Sequence, residues 1–132
     1  MDGEIQSMPE RIDVPALARP GGHYSHAVRA AGLVFVSGQL PIKADGTRMT
    51  GAAFDDQARR TLDNLAQALH AAGTEIAKLV QVRVYVDDVE NWPAFNAIYT
   101  TWAGAAMPAR AIVPVPALHH GLKIEIEAIA LA

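Results

Sequence analysis

Four valines at every second position, from Val80 to Val86, restrict the fold of this chain most strongly. Gln81, Arg83 and Tyr85 stand between them. Side chains of a β-strand alternate between the two faces of a sheet, and β-branched residues favour strands. The pattern therefore predicts a strand with one buried face. Such a strand needs neighbouring strands and a layer that covers its apolar side.

Two predicted helices supply that layer. In the segment from Phe54 to Ala72, apolar residues recur every three or four positions and form one stripe, while polar and charged residues take the other faces. Gly73 follows as a helix stop. A second helix is predicted to begin at Asn91-Trp92-Pro93, where proline in the first turn costs no hydrogen bond, and to end near Gly104.

The other predicted strands complete one sheet. Apolar runs from Val28 to Ala30 and from Leu33 to Val36 flank Ala31-Gly32 and predict a β-hairpin. Two further strands, Arg110 to Ala117 and Lys123 to Leu131, close the chain. The order β-β-α-β-α-β-β predicts an α+β protein with a mixed sheet and both helices on one of its faces.

The face without helices is expected to need a second subunit. In the last strand the residues on that face are Glu125, Glu127, Ile129 and Leu131, and we expect Arg110 to share it. Charged residues make up only 19% of the chain, against about 25% in average domains, which also favours a covered surface. Pro114 and Pro116 remove N–H groups from one side of their strand, which predicts an edge position.

Length and composition limit the domain count and the kind of partner. The 132 residues fit one domain. We expect residues 1–19 to be a loose lead-in and residues 20–132 to be the domain, because prolines and glycines up to Gly22 interrupt any regular element. The net charge of −3, without a basic cluster, argues weakly against nucleic-acid binding.

Cysteine is absent, which excludes disulfides, thiolate nucleophiles and Cys-ligated metals. No apolar run is long enough to span a membrane, and the first residues lack a signal-peptide pattern. The predicted location is therefore the cytoplasm.

A few polar residues are candidates for chemistry. Arg110 opens a strand and could clamp a carboxylate, although a surface arginine in a weak ion pair is the more frequent case. Glu125 and Glu127 lie in an apolar strand, where a partly buried carboxyl could act as a general acid or base. The residues alone do not distinguish these two acids, or decide against a solvated pair.

The histidines and serines give no recognised site. His23 and His26 are three apart and His119 and His120 are adjacent, and neither spacing matches the helical His pair of a zinc hydrolase. We therefore predict loop histidines near turns and no metal. Ser37 lies in Val36-Ser37-Gly38-Gln39, which is not a nucleophile elbow.

Five short motifs in a fixed order resemble the RidA (YjgF-type) family of imine deaminases. They are Gly22-His23-Tyr24-Ser25, Val36-Ser37-Gly38-Gln39, Asn96 with Tyr99, Pro108-Ala109-Arg110 and Ile124-Glu125-Ile126-Glu127-Ala128. The resemblance covers about residues 20 to 131. It implies a chorismate-mutase-like α+β fold, a homotrimer with a barrel-like core, and active sites in clefts between subunits.

The resemblance also implies an activity and site residues. The family hydrolyses 2-imino acids and 2-aminoacrylate-type enamines to 2-oxo acids and ammonia, without a cofactor. By motif position, Arg110 matches the residue that holds the substrate carboxylate and Glu125 the residue that orients water. Tyr24 matches the aromatic that packs on the substrate, and three further positions lie near the pocket: Ser37, Gly38 and Asn96.

This chain departs from the family pattern at some positions, which leaves its substrate open. His23 stands where many members have proline, His26 where glutamine is frequent, and Ile112 where some members have a smaller residue. Pro114 and Pro116 make their strand unusually rich in proline. Two alternatives remain for the function: a trimer that binds small molecules or acts as a chaperone without turnover, and RNA cleavage, an old label of the family.

Overall fold

The computed structural model describes residues 8–132 as one six-stranded mixed sheet with two α-helices. The strands are β1 (Glu10–Ile12), β2 (Ala27–Ala30), β3 (Leu33–Gln39), β4 (Leu79–Val86), β5 (Ala109–Pro114) and β6 (Ile124–Leu131). The helices are α1 (Phe54–Ala71) and α2 (Trp92–Ala103). Short 3-10 turns occupy Ile76–Lys78, Val89–Asn91 and His119–Gly121.

The sheet order is β1-β2-β3-β6-β4-β5, with β4 and β5 parallel and every other pair antiparallel. The predicted α+β class and the order β-β-α-β-α-β-β are confirmed, with β1 as an additional strand. The prediction of an edge strand is also confirmed, because within residues 8–132 β5 pairs only with β4 and ends at Pro114. Parallel pairing of β4 and β5 requires the crossover that α2 provides.

The core lies between the helices and one face of the sheet. All six residues of the predicted apolar stripe are buried: Phe54, Ala58, Leu62, Leu65, Leu69 and Ala72. They pack with the inward residues of β4 and β6, among which Val82, Val84, Ile124 and Ile126 are fully buried. Gly73 adopts a positive φ of 81° directly after α1, as a helix stop requires.

The expectation that no regular element forms before residue 22 is wrong at β1. Arg11 pairs with Val28 of β2, and Val14 beyond the strand is buried. His26 attaches β1 and the segment after it to the sheet, because its buried ring forms a hydrogen bond at each nitrogen. Nδ1 accepts a hydrogen bond from the Val14 N–H at 2.9 Å, so Nε2 carries the proton and donates to the Ala18 carbonyl at 2.8 Å.

One valine of the alternating run lies on the wrong face. The pairing of β4 with β6 shifts between Leu79 and Gln81, so Leu79 enters the core and Val80 is 42% exposed. A β-bulge of this kind inserts one residue and reverses the alternation before it. Val80, Phe35 and Leu131 are exposed apolar residues, and a second subunit as their cover stays a prediction.

Replacing Leu65 with alanine tests the core. Leu65 is 0% exposed, so the Leu65→Ala variant should lose about 2–5 kcal/mol of unfolding free energy. Gln67→Ala, at an exposed position of the same helix, should change it by less than about 0.5 kcal/mol. Urea denaturation at one protein concentration measures both, and equal losses in the two variants would contradict this packing.

Candidate active site

A β-bulge in β3 shapes the centre of the site. Val36 pairs with Ala128 and Gln39 with Ile126, so Ser37 and Gly38 together face one residue of β6. The bulge is held in place because the Ser37 N–H donates to the His26 carbonyl at 3.0 Å and its hydroxyl donates to the Ser25 carbonyl at 2.6 Å. Bulges redirect side chains next to functional sites.

Glu125 lies directly over Gly38. A Cβ atom at residue 38 would overlap the Glu125 carboxylate and approach its Cδ to 3.0 Å. Only glycine leaves room for the carboxyl group in this position, and any larger residue would displace it. The two residues therefore form one structural unit, although they are far apart in the sequence.

The structure distinguishes Glu125 from Glu127. The Tyr85 hydroxyl donates a hydrogen bond to the Glu127 carboxylate, whereas no hydrogen bond to the Glu125 carboxylate is found among residues 8–132. Burial raises the pKa of Glu125, and the negative charge of Glu127 adds to the effect while His119 opposes it. Glu125 is thus a half-buried carboxyl with free lone pairs, as a general base requires.

Glu125 lies in a cleft of about 600 Å³ between the segment after β1, the bulge, the loop of residues 40–51 and the turn before β6. Tyr24, Ser37 and Gly38 line the same cleft. The Tyr24 ring packs against Gly22, and its hydroxyl accepts a hydrogen bond from the Gly21 N–H at 3.3 Å. These four predicted site residues are therefore brought together.

Four exposed basic residues of the lining were not predicted as site residues from the sequence: Arg19, Arg48, His119 and His120. They come from three separate segments, and neither their spacing nor any local motif connects them. His119 lies close enough to Glu125 to lower the pKa of its carboxyl group. The adjacent histidines His119 and His120 are the one feature of the sequence that could have pointed to this side of the cleft. Their position beside Glu125 depends on the path of the turn before β6, which the sequence does not show.

Arg110 and Asn96 lie elsewhere, on the helix side of the sheet. The Arg110 Nη1 atom donates to the Asn96 Oδ1 atom at 2.9 Å, and its guanidinium carbon lies 4.9 Å from the centre of the Tyr99 ring. The expectation that Arg110 shares a face with Glu125 is wrong. Because β5 runs parallel to β4, Arg110 is in register with the core residue Val82 and points toward α2.

Tyr99 supports the Arg110 side chain from below. It is 7% exposed, and its hydroxyl has no hydrogen-bond partner among the described residues. Burial raises the pKa of Tyr99, while Arg110 opposes the shift. The Tyr99 ring under the guanidinium and the Asn96 amide beside it hold the Arg110 charge at the edge of the sheet, where no other described strand pairs with the outer side of β5.

The six predicted site residues thus form two groups on opposite faces of one chain. Within residues 8–132, no group of three or more His, Asp or Glu side chains could hold a metal ion. Across that same stretch, the helices are too short or too polar to cross a membrane.

The fold and the cleft define a small α+β protein with an acidic residue poised over a β-bulge. The family model described as endoribonuclease L-PSP matches residues 16–132. The chain is 41% identical over 113 residues to the mitochondrial protein mmf2 of Schizosaccharomyces pombe, covering 83% of this chain and 88% of that protein. It belongs to the L-PSP family, which is the RidA (YjgF-type) family that the motifs resemble.

Two further relatives agree with this assignment. The 2-iminobutanoate/2-iminopropanoate deaminase of Mus musculus is 34% identical over 131 residues, which are 99% of this chain and 95% of that protein. The crystal structure of YyfA from Yersinia pestis, a protein of the conserved Rid family, superposes with a TM-score of 0.90 at 31% identity. The match covers 95% of this chain and 100% of the YyfA chain. The family therefore includes an imino-acid deaminase.

The pKa of Glu125 can be measured directly. Carboxyl-carbon NMR titration should place it above the ordinary value of 4.5. Glu127→Gln should lower it, because that substitution removes a neighbouring negative charge, but burial should keep it above 4.5. Glu75→Gln, at an exposed position before the opposite end of β4, is the control and should leave it unchanged.

The same shift predicts how stability depends on pH. Ionisation of Glu125 is harder in the folded state, so the unfolding free energy should fall as pH rises from 4.5 through the folded pKa. Glu125→Gln should remove that fall. A Glu125 pKa at or below 4.5, or the same pH slope in the variant, would contradict the burial of this carboxyl group.

Proposed function

We propose that this protein hydrolyses 2-imino acids and their 2-aminoacrylate-type enamine precursors to 2-oxo acids and ammonia. The observation that carries the proposal is the Glu125 carboxyl group, which is half-buried, has a raised pKa and lies over Gly38 in a cleft. The similarity to the mouse deaminase over nearly the whole chain supports the same reaction class.

Glu125 acts as the base that activates water. An imine carbon is already electrophilic, so the carboxylate needs only to accept a proton as the water oxygen bonds to that carbon. The C=N bond becomes a single bond, and Glu125 returns the proton to the nitrogen, which gives a carbinolamine. In the collapse, the hydroxyl proton passes through Glu125 to the nitrogen, the C–N bond breaks, and the C=O group and ammonia form. A raised pKa makes the carboxyl group a stronger proton acceptor and lets it return the proton as a donor.

Arg110 binds the substrate carboxylate. Its guanidinium is held by Asn96 and by the Tyr99 ring, and a positioned fork of this kind suits bidentate contact with a carboxylate. Arg110 and Glu125 lie on opposite faces of one chain, so one site needs Arg110 from one copy and Glu125 from another. A homotrimer with clefts between subunits satisfies this requirement, and the exposed Phe35, Val80 and Leu131 supply apolar surface for it.

The remaining predicted residues have supporting roles. Tyr24 packs against the substrate, Ser37 and Gly38 present the bulge next to the reacting carbon, and Asn96 orients Arg110. No cofactor takes part, and the cytoplasm is the proposed location. The names of two Schizosaccharomyces pombe relatives place those proteins in mitochondria.

Substitution of Arg110 tests the clamp. Arg110→Ala should lower kcat/KM for 2-iminobutanoate by about 100-fold, because charge and orientation are both lost. Arg110→Lys should recover only part of the loss, since a lysine cannot form the bidentate contact. Release of 2-oxobutanoate from enzymatically generated imine measures both variants, and an unchanged rate in Arg110→Ala, or ligand binding without turnover in the wild type, would exclude this mechanism.

Mixed oligomers test whether the site is shared. Arg110→Ala and Glu125→Gln subunits should each be nearly inactive alone. After unfolding and refolding of an equal mixture, about a quarter of the sites should combine an intact Arg110 with an intact Glu125, so about a quarter of the activity should return. No recovery in a correctly assembled mixture would mean that both residues serve a site from the same chain.

Replacement of Gly38 tests the position of the carboxyl group. Gly38→Ala should lower kcat by about 100-fold, since a shift of about 1 Å in a catalytic group has an effect of that size. Gly21→Ala is the matched control, because Gly21 lines the same cleft and a Cβ there meets nothing within 4 Å. Thermal unfolding of both variants separates loss of activity from loss of fold, and equal activity of the two would contradict the role of Gly38.

A further inference from the structure

We infer that the cleft selects 2-imino acids whose side chain ends in a second carboxylate, with Arg48 and Arg19 as the cationic groups that bind it. This inference rests on the proposed function and names its substrate class. The basic rim of the cleft consists of Arg19, Arg48, His119 and His120.

Arg48 is placed by an ordered loop. Residues 40–51 fold back on themselves, with a β-bridge between Ile42 and Arg48 and a hydrogen bond from the Met49 N–H to the Pro41 carbonyl at 3.1 Å. The buried Asn64 of α1 holds this loop, because its amide donates to the carbonyls of Leu40 and Ile42 at 3.0 Å each. The Arg48 backbone is therefore anchored to the core of the protein.

The turn before β6 is tied to the same loop under backbone strain. His120 has a φ of 62°, a left-handed conformation that is uncommon outside glycine, although histidine adopts it more often than most residues. The Thr50 hydroxyl donates to the His120 carbonyl at 2.8 Å and holds this conformation. Strained backbone of this kind is concentrated at ligand sites. Here it keeps His119 and His120 beside Arg48.

The rim leads outward from Glu125. His119 lies within electrostatic reach of the Glu125 carboxyl group, and the ring centres of His119 and His120 are 5.9 Å apart. Desolvation lowers the pKa of His120, and the nearby Arg48 charge lowers it further. Arg48 lines the same cleft as Glu125 and both imidazoles. A substrate with its imine carbon at Glu125 would extend its side chain toward Arg48.

The charge balance of the cleft favours an anion at this end. Among the described residues that line it, two arginines face a single acid, Glu125, although the whole chain has a net charge of −3. Neither Arg19 nor Arg48 forms an ion pair within residues 8–132. Concentrated positive charge in a concave surface attracts anionic ligands, and a carboxylate pairs with arginine in bidentate geometry.

Paired substrates test the inference. An amino-acid oxidase generates 2-iminoglutarate from glutamate and 2-iminobutanoate from 2-aminobutyrate, and release of the 2-oxo acid is followed. The wild-type kcat/KM should be at least about tenfold higher for 2-iminoglutarate. Arg48→Gln should reduce this ratio about tenfold. Arg59→Gln is the control, because Arg59 pairs with Asp56 on α1 and lines a separate pocket beside α2, so it should keep the wild-type ratio.

A binding measurement separates this inference from the proposed function. Calorimetry of the wild type with 2-oxoglutarate and 2-oxobutanoate should show tighter binding of the dicarboxylate, and Arg48→Gln should remove the difference. Hydrolysis of both imines at equal kcat/KM would overturn the inference and leave the proposed function intact. If neither imine is hydrolysed, the proposed function fails, and equal binding of the two oxo acids would then reject the anion preference as well.

Discussion

The burial of every second side chain of β6 is the constraint on which the site depends. Ile124, Ile126 and Ala130 are fully buried under α1, so the residues between them must face the other side of the sheet. Glu125 therefore cannot turn toward the helices. It is held over Gly38, where the bulge in β3 makes room for a carboxyl group that would otherwise meet a Cβ atom.

The parallel pairing of β4 and β5 has the opposite consequence for Arg110. The crossover through α2 brings β5 into register with β4, and Arg110 follows Val82 onto the helix side, where Asn96 and Tyr99 hold it. Because β5 is an edge strand, the Arg110 side chain reaches the surface of the molecule. Because Glu125 and Arg110 lie apart within one chain, the proposed reaction requires that two copies of the chain associate.

The histidines have two different roles, and the surroundings of each side chain explain which role it has. His26 is enclosed, with both ring nitrogens bonded to backbone groups, and it attaches β1 and the segment after it to the sheet. His119 and His120 lie in an exposed turn beside Arg48, where their rings are available to a ligand. His26 lies in the loop before β2, as predicted, but its buried role depends on contacts with residues 14 and 18.

The local sequence pattern determined both helices, the hairpin, the edge position of β5 and the two faces of β6, because each depends on residues close together in the chain: apolar periodicity, a glycine turn, or prolines that cannot donate to a neighbouring strand. It did not determine the bulges at Leu79 and Ser37, strand β1 or the face of Arg110, which depend on pairing between distant segments. The motif order brought six residues to attention. Only the tertiary structure divided them into two groups, because strand direction and register decide which side of a sheet each residue occupies.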